Sequence, residues 1–521
     1  MSTKEGKVTI ISLLLILTFG ISIRLYNLGS HNLWYDEFLS YYFAKFSSLA
    51  DLVILDFHPP FYFALLKLWV NCFGTSEFAL RSLSMIFGAM SIFAIYKLGR
   101  LFFNVKTGLA SAFILSISPI HIWYSQEARG YSLLTFLTIS SIYFVASALR
   151  KNNIYKWIAF ILLSTIALYT SYPFIFIIAI SIALFIPRNS RHLLKNYMIA
   201  LLIILLISFP CILLFLKQVS RINASFWLSR PNLNSIRITF DNFRMGYNST
   251  SRINLFADII FPLLFFTGIL SWWRERKKAL LILVLFVYVP IISVFLISQK
   301  IPIYLDRQLL LVSPFYYIII AAGLEKIKIG NIKIFIYLSI FIPTLFCLNN
   351  YFSNRMPLPQ VHHMGALVKK TVKPAADYIN DNLREGDIIA TSDKSVSNIF
   401  YYMEPYISRR QVVYFFIEDK FRKEKSQYNY DRLKYEQSVR LKKGLSSYIF
   451  QLEGKPTIPG IRTIGELDYK RIWLISSSWL MDGVLGEHAR AVREYMQRHY
   501  ALLDHKELDG IIVDLYGQSK D

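Results

Sequence analysis

Charge and cysteine are what this chain has least of. Only 17% of its 521 residues are charged, against 54% hydrophobic, and its mean hydropathy is +0.40. A soluble domain of this length carries about 25% charged residues and no repeated apolar runs of membrane length, so a soluble protein is excluded. The three cysteines, Cys72, Cys211 and Cys347, lie in or near apolar stretches. They exclude a disulfide framework and show no zinc-ligand spacing. Acidic residues are scarce as well, 34 against 57 basic, for a formal net charge of +23. The basic residues sit in short clusters between apolar runs, which marks cytoplasmic loops and not a nucleic-acid surface. No repeat of fixed period and no inverted halves are visible, so a transporter lacks its usual sequence support.

What is present is a series of apolar runs at 8–24, 79–96, 108–120, 132–149, 157–170, 172–187, 196–216, 254–273, 279–297, 308–323 and 332–349. No small-residue cleavage site follows the first, which is expected to be an uncleaved helix. A further stretch, 59–73, is short, opens with Pro59-Pro60 and carries Lys67 mid-run. A lysine at the centre of a span costs roughly 2.5–3.5 kcal/mol on insertion scales. Placing that stretch in the interface puts the clusters at 4–7, 97–106, 150–156, 188–195, 274–278 and 326–333 on one side, eighteen basic residues in all. The short loops opposite hold five: Lys45, Lys67, Arg129, Lys300 and Arg307. The positive-inside rule then sets the N-terminus in the cytoplasm and the C-terminus outside.

The expected fold is an all-α polytopic membrane domain of about eleven transmembrane helices plus interfacial helices, followed by a small extracytoplasmic α/β domain. The expected boundaries are 1–350 for the membrane domain, 351–365 for a linker and 366–521 for the outer domain. Composition turns polar near residue 363, and Asp387-Ile388-Ile389-Ala390, Gln411-Val412-Val413-Tyr414, Arg471-Ile472-Trp473-Leu474 and Gly510-Ile511-Ile512-Val513 read as short buried strands. Helical patterns at 374–383 and 486–500 alternate with them.

Charged and proline-broken motifs punctuate the outer side of this topology, where charge costs free energy unless it is solvated or used. Asp36-Glu37 follows Leu33-Trp34-Tyr35 in an aromatic loop. The pair reads either as solvated carboxylates in an interfacial aromatic belt or as a general base with a neighbour that binds acceptor or cation. His58-Pro59-Pro60 reads as a turn that starts a helix, with His58 at its mouth either incidental or able to donate to a phosphate. In Glu127-Ala128-Arg129-Gly130-Tyr131, Arg129 is a fork for phosphate oxygens or half of a buried ion pair with Glu127. Ile303-Tyr304-Leu305-Asp306-Arg307 offers a second arginine at a helix mouth, alternatively one that snorkels.

In order along the chain, these motifs resemble the polyprenyl-phosphate-sugar-dependent glycosyltransferases of the C-type fold, in the bacterial branch related to protein O-mannosyltransferases and lipid A aminoarabinose transferases. The resemblance runs through Asp36-Glu37, His58-Pro59-Pro60, the Gly74 to Arg81 segment, the Tyr96 to Phe102 segment and the Ser118 to Tyr131 segment. It is dense over 24–150, thinner to 325, and architectural beyond. The aminoarabinose transferases carry a lysine where this chain has His58, and the usual Arg-Tyr of the late loop is Arg307-Gln308 here.

The resemblance implies transfer of a single sugar from a polyprenyl-phosphate donor to a hydroxyl of an extracytoplasmic glycan, lipid or protein, with inversion. It makes Asp36 and Glu37 the catalytic carboxylates, and His58, Arg129 and Arg307 the donor-phosphate ligands. Glu127, Tyr131 and Tyr304 bind acceptor or position loops. A phosphate leaving group needs positive charge at its oxygens and only one base. No cofactor is fixed; metal use varies among such enzymes, which leaves Asp36, Glu37 and Glu127 as candidate ligands of a divalent cation. The implied partners are the lipid-linked sugar, the acceptor and the bilayer, with no nucleic acid. The rival readings are a transferase or ligase of whole lipid-linked oligosaccharides, a polysaccharide or lipid transporter, and a non-catalytic sensor. The expected localisation is the cell membrane, multi-pass.

The charge asymmetry generates a test. Reporter fusions after Lys106, Lys156 and Lys278 are expected to read cytoplasmic, and fusions near Asp51, Ser125 and Ala375 external. A cytoplasmic signal at Ser125 contradicts this topology.

Overall fold

The computed structural model describes residues 3–46, 58–185, 191–225, 230–248, 254–353, 355, 372–391, 398–403, 413–416, 471–477 and 484–519. Asp51, Arg188, most of the 351–365 linker and the start of the second expected strand, Gln411-Val412, lie outside the described residues. The chain forms two compact units, Met1–Ser30 with Asp56–Val368, and His31–Leu55 with Lys369–Asp521.

The first unit is helical. Among the described residues, seven helices are long and apolar enough to cross a membrane, eight when a bent pair counts as one span. They are Glu5–Leu25, Glu77–Phe102, Tyr131–Arg150, Arg191–Leu216, Ala257–Ser298, Asp306–Lys326 and Gly330–Phe352, with Val105–Ile117 and Pro119–Ser125 forming the pair bent by 63°. The count falls below the eleven apolar runs for physical reasons. Ile154–Leu168 and Phe174–Leu184 are apolar helices too short to pass the length test. The runs 254–273 and 279–297 join in one helical element, Asn254–Ser298, whose regular geometry breaks at Arg276 (φ −135°, ψ 28°). Forty-five residues of unbroken helix would extend about 67 Å, more than twice the hydrocarbon thickness. The break inside the basic cluster leaves two arms of about 33 Å each. The 59–73 stretch forms a helix over Phe61–Phe73, about 20 Å long and too short to span.

Burial separates central from peripheral helices. Asp306–Lys326 has 89% of its apolar window buried, whereas Glu5–Leu25 has 11%. Such an outer helix turns apolar side chains outward, as a lipid-facing helix does. The central helix meets Asn254–Ser298 through two glycines. A Cβ built at Gly323 would overlap the Leu264 carbonyl oxygen, and one at Gly268 the Ile319 carbonyl oxygen. Only hydrogen at both positions permits this backbone approach, the small-residue packing common between membrane helices.

The second unit is α/β. Its five-stranded sheet has the order β2-β1-β3-β5-β4, with β1 Asp387–Thr391, β2 Val413–Phe416, β3 Arg471–Ser477, β4 Tyr500–Leu508 and β5 Ile511–Ser519. β1 runs parallel to β2 and β3, while β5 is antiparallel to β3 and β4. The expected strands at 387, 413, 471 and 511 are these, and the helical patterns become Lys373–Asn382 and Val484–His499. Val492 and Met496 of the latter pack on Ile388, Ala390, Ile472 and Leu474. Asp509 (φ 50°) and Gly510 (φ 80°) make the tight β4–β5 turn, where an Asp-Gly pair accepts left-handed backbone at least cost. Asp387 is fully buried and held by the Arg471 fork at 2.9 and 2.6 Å and by Trp473 Nε1–H at 3.0 Å.

Residues 31–46 belong to this unit through specific bonds. The Tyr402 hydroxyl accepts from Leu33 N–H (2.9 Å), and Asn398 Nδ2 donates to the Leu33 carbonyl (2.6 Å). The Asn32 side-chain oxygen accepts from Val372 and Lys373 N–H, both at 3.2 Å, capping the helix that follows. Phe38 and Tyr41 set their rings edge-on against Phe400 and Tyr401.

Candidate active site

Asp36 and Glu37 are not in a loop. They occupy the first turn of the helix Tyr35–Phe46 in the second unit. Glu37 is fully buried, and its Oε2 turns back to accept from Trp34 N–H (3.4 Å), the arrangement by which a third-position glutamate caps its own helix. Asp36 is half-buried. The two neighbours therefore differ in environment, with Glu37 committed to the backbone and Asp36 the more accessible carboxylate.

The other expected residues cluster in the first unit. His58 precedes the helix Phe61–Phe73, which Pro60 opens. Arg129 Nη2 lies 3.3 Å from His58 Nδ1. A guanidinium can only donate, so His58 Nδ1 accepts and the neutral ring carries its proton on Nε2. The Arg129 guanidinium also lies over the Phe63 ring at 5.5 Å. Its backbone is fixed by Ser84 Oγ, which donates to the Arg129 carbonyl (3.0 Å). Glu127 is fully buried, and its Oε2 accepts from Trp123 Nε1–H at 3.0 Å.

Tyr131 starts the helix Tyr131–Arg150. Arg307 sits over the Tyr131 ring at 6.0 Å, and the 3-10 turn Asp306–Val312 packs on that helix. Asp306, fully buried, accepts from Arg307 N–H (2.7 Å) and from the Asn242 side chain, with Tyr247 near it. Tyr247 in turn bonds Tyr124, which stacks edge-on to Tyr131 at 4.8 Å. The Tyr304 hydroxyl bonds Thr239 Oγ1 (2.8 Å). Burial holds the Tyr247 phenol well above its ordinary pKa, with the nearby Asp306 carboxylate adding to it. Burial likewise raises Tyr304. Both stay protonated hydroxyls at neutral pH. Among the described residues, no group of three or more His, Cys, Asp or Glu is arranged to hold a metal ion.

The loop 126–130 has a foundation that the motifs did not reveal. The helix Val105–Ile117 ends at Ser118, and Pro119 has no N–H for the Leu115 carbonyl four residues back. Arg24, fully buried in the first helix, fills that gap. Its Nη2 donates to Leu115 O (3.0 Å) and His121 Nδ1 (2.9 Å). Nη1 donates to Ser116 O (2.8 Å) and Gly20 O (2.9 Å), and Nε to Ser125 Oγ (3.2 Å). All five N–H groups are used. Gln126 Nε2 then ties the loop back to the Arg24 and Tyr26 carbonyls at 2.9 and 2.7 Å. The readable signal was an arginine closing a long apolar run a hundred residues before a Ser-Pro break.

Residues 57–215 match the family model for dolichyl-phosphate-mannose-protein mannosyltransferase. No curated protein sequence matches the chain. Among solved structures the chain is similar to ArnT from Cupriavidus metallidurans in the apo state, at 12% identity and TM-score 0.63 over 99% of this chain and 98% of that one. The same protein bound to undecaprenyl phosphate gives 12% and 0.57 over the same shares. The archaeal oligosaccharyltransferase AglB from Archaeoglobus fulgidus, in complex with an inhibitory peptide and a dolichol-phosphate, gives 12% and 0.53 over 100% of this chain and 75% of that one.

Arg129 bonds His58 and lies over Phe63, and Glu127 accepts from Trp123. If Arg129 grips the donor phosphate, combining Glu127→Arg with Arg129→Glu is expected to leave transfer as low as either single change. Arg129→Lys is expected to raise the donor KM roughly 10- to 100-fold, the scale of a hydrogen bond to a charged group. Recovery of activity in the swap, measured on purified protein, would show an ion pair instead. Over 99% of its length the chain shares the fold of ArnT, and over 57–215 it matches the family model for dolichyl-phosphate-mannose-protein mannosyltransferase.

Proposed function

We propose that this chain is an integral-membrane glycosyltransferase that moves a single sugar from a polyprenyl-phosphate donor to an extracytoplasmic hydroxyl, with inversion. The observation that carries the reading is the buried pair of guanidinium groups, Arg129 bonded to His58 and lying over Phe63, and Arg307 over Tyr131. Buried guanidinium groups held over aromatic faces favour an anion with several oxygens, and the His58 Nε2–H adds a neutral donor. The undecaprenyl phosphate bound by ArnT supports a lipid phosphate as that anion. The carboxylate assignment rests on the sequence motif, and the burial of Glu37 against its own helix start leaves Asp36 as the base.

In the proposed reaction the acceptor oxygen attacks the anomeric carbon while Asp36 takes its proton. The bond from that carbon to the phosphate oxygen breaks, and the extra negative charge passes to the lipid phosphate. Arg129, Arg307 and His58 stabilise that charge as it develops, which is where fixed donors lower a barrier most. An acid to protonate the leaving group is unnecessary, since a phosphate monoester departs as a stable anion.

The reading keeps the eleven-span topology, with the N-terminus cytoplasmic and residues 366–521 forming an extracytoplasmic domain. It counts the two arms of 254–298 separately and lets the shorter helices at 154–168 and 174–184 complete their crossings with flanking residues.

Asp36→Asn keeps shape and removes basicity. Turnover by the purified full chain is expected to fall roughly 10²-fold or more while the donor still binds, the range typical of losing a general base. Near-normal transfer would exclude Asp36 as the base.

A further inference from the structure

Arg24 lies in the first membrane helix, fully buried, and the described residues bring no carboxylate to it. Such a cation is costly unless its donors are all met. Here four of the five are met by one feature, the broken end of Val105–Ile117 and the turn of Pro119–Ser125, and the fifth by Gly20 O of its own helix. The carbonyls at a helix C-terminus carry partial negative charge, so the cation is matched to the dipole as well as to the hydrogen bonds. The space is made for it. A Cβ at Gly88 would overlap Ser125 Oγ, lie 2.8 Å from Ser125 Cβ and 3.5 Å from Arg24 Nε. A Cβ at Gly20 would come 2.5 Å from Ile92 Cδ1 and 3.1 Å from Ser116 Cβ. His121 accepts from Arg24 at Nδ1, which makes it the neutral Nε2–H tautomer.

We propose that Arg24 is a positioning residue for Arg129: it clamps the broken helix through Leu115, Ser116 and Ser125 and so sets the loop 126–130 from which Arg129 reaches the donor phosphate. The donor part rests on the function proposed above. The clamp acts over a short path. Ser125 is bonded by Arg24 Nε, Gln126 returns to the Arg24 carbonyl, and Arg129 N–H bonds the Glu127 carbonyl at 2.7 Å. A guanidinium supplies five donors in a plane, and an ammonium supplies three from one point. Lysine at position 24 therefore keeps the charge and leaves part of the broken helix end unmet.

The test uses the full chain in lipid nanodiscs. In Arg24→Lys, amide hydrogen exchange is expected to rise in 120–131 and to stay at the wild-type level in Phe61–Phe73 and Gly330–Phe352. Affinity for a polyprenyl phosphate is expected to fall about tenfold, the scale of one hydrogen bond to a charged group. In the Arg129→Lys background the same change is expected to cost almost nothing further, because Arg24 acts through Arg129. The donor KM rises and the acceptor KM holds. A second route leaves Arg24 in place: Gly88→Ala displaces Ser125 and is expected to reproduce the exchange and affinity changes.

Unchanged exchange in 120–131, or independent and additive losses of affinity in the double variant, would overturn the proposal. So would a Gly88→Ala chain that binds donor like the wild type. A wild-type chain with no affinity for polyprenyl phosphate would instead remove the function proposed above and the donor half of this inference, while the exchange pattern still reports the clamp.

Discussion

A backbone group without a partner is the most expensive thing a membrane-embedded chain can hold, and this fold puts a break in the middle of an apolar helix. Ser118-Pro119 bends Val105–Ile117 away from Pro119–Ser125 by 63°, and the Leu115 carbonyl, with no N–H from Pro119, keeps only a long bond from Ser118 N–H (3.4 Å) within its own helix. Arg24 adds to it from another helix, placing four of its five N–H groups on the broken end and the turn beyond it and the fifth on Gly20 O of its own helix. The bend leads directly into the loop that carries Glu127 and Arg129.

From that loop the site grows by contacts of a consistent kind. Each arginine lies on an aromatic ring, Arg129 on Phe63 and Arg307 on Tyr131. Each loop is braced by a buried carboxylate that a neutral donor already serves: Trp123 serves Glu127, and Asn242 serves Asp306. The Tyr124–Tyr247 hydroxyl pair joins the two loops.

Much of this was readable in the sequence, because the signals were local. Apolar runs become helices, Asp-Gly at 509–510 becomes a hairpin turn, and the expected strands at 387, 413, 471 and 511 pair in one sheet. His58 and Arg129, 71 residues apart, were named together because both sat at helix mouths on one predicted face, and the structure bonds them. What escaped was set by contacts across long separations. Arg24 looked like the end of a span, and only its five acceptors show its use. Asp36-Glu37, read as part of an aromatic loop, opens a helix whose first turn Glu37 caps by reaching back to Trp34 N–H. The span count shifted at Arg276, where a basic cluster interrupts helical geometry without ending the helix.

The central claim is chemical: a sugar linked through one phosphate is transferred with inversion. Purified chain in proteoliposomes, supplied with a polyprenyl-phosphate-linked sugar of known anomeric configuration and its acceptor, would be followed by the release of free polyprenyl phosphate and by the anomeric coupling of the product. Release in step with transfer, with the opposite anomer in the product, is the predicted result. A product of retained configuration, or consumption only of a diphosphate-linked oligosaccharide, would contradict it.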